Sequence, residues 1–118
     1  MTIEKVRNTK YNLQTFAGDS GVIKISNIPT ESPNYIIYLE IHGNNDITKS
    51  VVLNGADNCE FELTPEETLA LGAGNWEYGI KICDSVTLEE NTFIPDLRIS
   101  NKAMFIVYPQ KAEGLTDA

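Results

Sequence analysis

The sequence predicts an all-β fold of two packed sheets with one short helical turn. Three observations carry this reading. Apolar and polar residues alternate in short bursts, clusters of Gly, Asn, Asp and Pro separate the bursts at intervals of about ten residues, and a single stretch breaks the alternation with the chemistry of a helix start.

The first burst, Gly21 to Ile28, sets Ile23 and Ile25 against Val22, Lys24 and Ser26 and stops at Pro29. The second, Tyr35 to His42, places Tyr35, Ile37, Leu39 and Ile41 on one face and Ile36, Tyr38, Glu40 and His42 on the other, the pattern of a central strand. Gly43-Asn44-Asn45-Asp46 ends it with residues that favour turn dihedrals. Lys49 to Leu53, the cluster Asn54 to Asn58, and Cys59 to Leu63 read as a hairpin.

Thr64-Pro65-Glu66-Glu67 then supplies an N-cap at Thr64, a proline at the first helical position and Glu67 to close a capping box, with one or two turns ending near Gly72. From Asn75 the alternation resumes. Trp76, Tyr78, Ile80 and Ile82 share an inward face, with Glu77, Gly79, Lys81 and Cys83 opposite. Thr92-Phe93-Ile94-Pro95 is a short edge strand limited by its proline, and Lys102 to Tyr108 is the last strand. The uncharged run Ala103 to Tyr108 is too apolar for a bare edge, so it belongs inside a sheet or under a cover.

No stretch has the helices that parallel βαβ units need, each about thirty residues long. The first choice is an immunoglobulin-like antiparallel β-sandwich spanning residues 1–110, with 111–118 as a flexible tail; a small jelly roll or closed barrel shares the same strand rhythm.

With 118 residues, 42% hydrophobic and 22% charged, the chain has the make-up of one globular domain. Nine Lys and Arg against seventeen Asp and Glu leave a formal charge of -8, which repels nucleic acid. The amino-terminal stretch MTIEKVRNTKYNLQTF lacks the run of roughly seven apolar residues that a secretory signal needs. No run approaches the roughly eighteen needed for a membrane helix. The expectation is a protein made in the cytoplasm without a signal peptide, with no nucleic acid and no membrane among its partners.

Candidates for chemistry are few. His42, the only histidine, is the one residue suited to general-base work near neutral pH, and it sits at a strand end beside a turn, where a plain surface role is expected. No glycine-flanked nucleophile motif surrounds Ser20, Ser50, Ser85 or Ser100. Cys59 shares a face with Phe61 and Leu63, whereas Cys83 shares one with Glu77 and Lys81, so parity argues for two free thiols rather than a bridge. Glu60 and Glu62 read as the solvated face of a strand, and Glu66, Glu67, Glu89 and Glu90 form no acid/base pair. Asn44-Asn45-Asp46 and Asp57-Asn58 lack the oxygen spacing of a calcium loop, and Gly72-Ala73-Gly74 lacks the Lys-Ser/Thr of a phosphate loop. No catalytic residue, metal or cofactor is expected. Among Trp76, Tyr78, Tyr35 and Tyr38, which have the chemistry to stack on a sugar ring, Tyr38 is the one expected outside the core.

The stretch Phe61 to Ile82, FELTPEETLALGAGNWEYGIKI, resembles a motif of small Ig-like domains in tailed-phage and prophage structural proteins, among them the amino-terminal domains of baseplate upper proteins and tail-fibre attachment modules. The matching positions are Leu63-Thr64, Glu66-Glu67-Thr68, Leu71, Gly74, Trp76, Tyr78 and Ile80, with Pro65 inside the turn. Gly79 departs from the family, which commonly has Asp there, and Phe105 to Pro109 is similar to its Val-x-Pro ending. The resemblance implies a non-catalytic virion component that docks on tail or baseplate proteins, alone or as a homo-oligomer, its motif residues serving the fold. A carbohydrate-binding sandwich is the alternative from another class.

Overall fold

A computed structural model describes residues 4–5, 11–95 and 103–110; Ser100, Lys102 and the expected tail lie outside the described residues. Its strands are β1 (Glu4–Lys5), β2 (Leu13–Phe16), β3 (Gly21–Ile25), β4 (Tyr35–His42), β5 (Ile47–Val52), β6 (Cys59–Leu63), β7 (Gly74–Asp84), β8 (Glu90–Ile94) and β9 (Met104–Tyr108), with one helix, α1 (Pro65–Leu71), between β6 and β7. The fold is all-β with one short helix.

The larger sheet runs β1-β2-β9-β7-β4-β5, with β8 also on β7; the smaller one pairs β3 with β6. β7 is long enough to serve three neighbours. Its residues Glu77 to Asp84 pair with β4, while along the opposite edge Gly74 to Glu77 pair with β9 and Ile80 to Cys83 with β8. The alternation of β4 and β7 turns Ile37, Leu39, Ile41, Tyr78, Ile80 and Ile82 inward, where they meet Ile23, Ile25, Phe61 and Leu63 of the small sheet.

Three expectations are corrected. β5 does not form a hairpin with β6. It pairs with β4 through the Gly43–Asp46 turn, and the chain then crosses to the small sheet, where β6 pairs with β3. The physical reason is burial: Phe61 and Leu63 are 2% exposed, and only a second layer facing the large sheet covers them. Leu53 to Ala56 still makes a tight turn, closed by Ala56 N donating to Leu53 O, with Asn54 and Gly55 both at positive φ, and Ile28 N donates to Asp57 O to draw the crossing segment onto the end of β3.

The second correction concerns the first burst. β3 stops at Ile25 because Asn27 takes φ 57, a left-handed conformation that ends a strand, although Ile28 remains buried. The third is an unexpected strand. β2 lies parallel to β9, Leu13 opposite Phe105 and Phe16 opposite Tyr108, so the pairing is not wholly antiparallel. β9 therefore runs between β2 and β7, which accounts for its apolar character, and β8 ends one residue before Pro95.

Candidate functional site

The motif from Thr64 to Tyr78 forms a corner between the sheets. Thr64 caps α1: its Oγ1 accepts from Glu67 N (3.2 Å), and Glu67 Oε1 accepts from Thr64 N (2.9 Å). Glu67 also receives Lys49 Nζ at 3.0 Å, which ties the helix to β5. Partial burial works against the charged form of Glu67, yet the bonds from Thr64 and Lys49 outweigh it and hold the carboxyl below its usual value. Thr68, fully buried, accepts from Gly18 N (3.0 Å) and donates to Asp19 O (2.8 Å), pinning the β2–β3 turn. Only the Glu-Glu-Thr wording of the motif marked this residue in the sequence; periodicity gave no sign of it.

The far end of α1 finds partners in the β4–β5 turn. Asn44 N donates to Leu71 O (3.3 Å), Asn45 Nδ2 to Ala70 O (3.0 Å), and Trp76 Nε1 to Gly72 O (2.9 Å), so the carbonyls that a helix leaves open are satisfied by side chains and backbone of neighbouring elements. The approach is close. A Cβ on Gly43 would stand 2.7 Å from Leu71 Cδ2, and one on Gly74 would stand 2.7 Å from Trp76 Cζ2. Tyr78, inside the core, donates its hydroxyl to Tyr11 O and fastens the segment before β2; burial and then Tyr11 push the phenol up. Thr64, Pro65, Glu67, Leu71, Gly74, Trp76 and Tyr78 are thus brought together, and their polar groups face one another, the backbone or Lys49.

The remaining candidates are dispersed. His42 is exposed on the outer face, its Nε2 3.8 Å from Glu40 Oε2 and its Nδ1 3.6 Å from Asp46 Oδ2. Among the described residues no group of three or more His, Cys, Asp or Glu is placed to hold a metal ion. Glu60 and Glu62 lie on the outer face of β6, Glu60 4.0 Å from Lys24. Ser20, Ser50 and Ser85 are exposed, as are Glu66, Glu89 and Glu90. Cys59 and Cys83 are free thiols on different sheets; burial, then the charge of Glu60, pushes the Cys59 thiol up. Tyr38 is half-buried on the outer face between Ser50 and Lys81.

A second constellation, at the opposite end of β7, has no counterpart in the sequence pattern. Asp84 closes the turn from β7 to β8. Its Oδ1 accepts from Val86 N (2.9 Å) and Thr87 N (3.1 Å), and its Oδ2 accepts from Ser32 Oγ (2.7 Å). The Ser32 hydroxyl first, then the Thr87 and Val86 amides, hold the Asp84 carboxyl below its ordinary value against the pull of burial. Leu88 N donates to Asp84 O (2.8 Å), Asp84 N to Glu89 O (3.0 Å), and Ser85 N to Asn34 O (3.0 Å). Beside the turn, Tyr35 donates its hydroxyl to Glu31 Oε2 (3.2 Å).

This held turn presents two bare apolar side chains. Val86 is 71% and Leu88 74% exposed, the highest values among the large apolar residues described. Leu88 also sits at φ 64, in the left-handed region that costs a residue with a Cβ roughly 1–2 kcal/mol. Comparison of the chain with protein-family models and with curated proteins finds no match to either.

Proposed function

We propose that the chain is a non-catalytic docking module with an Ig-like sandwich fold, a virion component of a phage or prophage tail or baseplate. The observation that carries this reading is the corner. Of the motif shared with phage Ig-like domains, Thr64, Pro65, Glu67, Leu71, Gly74, Trp76 and Tyr78 serve packing, capping or chain direction there, as a structural motif must. The pairing order supports the same fold: β9-β7-β4-β5 in one sheet, β3-β6 in the other, with a sheet-crossing connection after β5, follows the strand logic of a variable-type immunoglobulin sandwich.

The carbohydrate-binding alternative keeps one observation, the half-buried ring of Tyr38 on the outer face. Trp76 no longer serves it, because its indole N–H is bonded to Gly72 O and its ring packs against the corner. Co-expression with the products of the neighbouring genes, followed by light scattering on the purified material, tests the docking reading. A stable complex, hetero-oligomeric or with the chain in several copies, is expected. A strict monomer that binds none of those products, yet binds a glycan on an array in a Tyr38-dependent way, would replace docking with sugar binding.

A further inference from the structure

We propose that the β7–β8 turn is the docking contact of this domain, a rigid tip that seats Val86 and Leu88 in an apolar pocket rimmed by lysine or arginine on a partner protein. The proposal rests on the docking reading and names its surface.

Three observations converge on the tip. Val86 and Leu88 are the two most exposed large apolar residues described, and they stand one residue apart on a single turn. Leu88 occupies a positive-φ position that Gly or Asn fills with little or no steric penalty, so a leucine there lowers fold stability while its side chain gains no burial in the fold. Strain of this kind, kept at an exposed apolar side chain, points to a contact made outside the chain. The turn is also held from within by Asp84, Ser32 and the Asn34 carbonyl, so binding would order little that is not already ordered.

The surroundings select the occupant. Glu31, Glu89 and Glu90 are exposed around the tip, and Glu90 ends a cross-strand row in which Val52, Ile36 and Cys83 extend the apolar surface over the outer face of the sheet. A carboxylate rim repels an anionic lipid surface and nucleic acid, and in a two-fold dimer through the tip it would meet its own image. An apolar pocket with a basic rim complements both the centre and the edge of this surface.

The test compares the wild-type chain with Leu88→Gly, Val86→Ser/Leu88→Gly and Glu89→Lys/Glu90→Lys, using the co-expressed products of the neighbouring genes as probes. Leu88→Gly is expected to raise Tm by about 4 °C or more as the strain is relieved. The same variant should weaken capture at least about tenfold, a loss of about 1.4 kcal/mol. The double apolar variant should abolish capture, and the charge-reversed variant should weaken it most at low salt. A fall in Tm for Leu88→Gly would overturn the premise of strain. A product captured equally by all four proteins would overturn the tip and leave the docking reading standing, whereas a wild-type chain that stays monomeric and captures none of the products would overturn both. Tip-dependent binding to phosphatidylglycerol vesicles, or tip-dependent self-association in sedimentation, would overturn the choice of occupant.

Discussion

Trp76 and Phe105 lie opposite one another on β7 and β9, yet they carry different weight. Phe105 is fully buried, whereas Trp76 sits at the start of β7 with its ring half-covered by the corner and its N–H on Gly72 O. Alternation in the sequence sets the side of the strand for Trp76, but the depth of burial depends on where along the strand the second layer ends. Phe105→Ala should therefore cost about 3–5 kcal/mol, and Trp76→Ala about 2 kcal/mol, partly from the lost helix-end bond. Urea unfolding followed by circular dichroism, with the slope m held common, measures both. Equal losses would place Trp76 in the core proper.

The β7–β8 hairpin owes its closure to one carboxylate. Asp84→Ala removes the acceptor for Ser32, Val86 and Thr87 together, so the variant should melt below the wild type at neutral pH. Because folding depresses the Asp84 pKa, its contribution is complete above the ordinary Asp value of about 3.9 and is lost as pH falls through the lower folded value. The gap in Tm between the two proteins should hold from neutral pH down to about pH 4 and close below it. Elements whose code is local are legible in the chain itself: β4 and β6 match their bursts residue for residue, and α1 follows from Thr64-Pro65-Glu66-Glu67. What stays hidden in the sequence is relational. β2 is four residues long and pairs with a strand some ninety positions away, and the partner of β5 is set by which apolar face needs covering, which no window of sequence contains. The tip has no periodic signature because its cause is a side chain two residues upstream holding backbone amides, inside a stretch that is irregular at period two.

Across the whole molecule, the small sheet has two strands and leaves their outer edges without strand partners among the described residues, with Lys24, Glu60 and Glu62 as the charged groups on its outer face. The large sheet ends at β5 on one side, and on the other it runs through β2, laid along β9 in the same direction, to β1. That parallel pair has a mechanical consequence. When the chain is pulled by its two ends, load enters β2 ahead of Leu13 and leaves β9 beyond Tyr108, so the strands are drawn past each other lengthwise. The bonds between Leu13–Phe16 and Phe105–Tyr108 then bear the load together in shear, instead of opening one at a time as in a hairpin pulled from its open end. β1, antiparallel on β2, peels away first and leaves this clamp intact. Single-molecule pulling from the termini should show one dominant rupture that releases the folded chain, and Thr15→Pro, which removes a donor from the middle of β2, should lower the rupture force. Under such a load the β2–β9 pair is the tensile link of the fold.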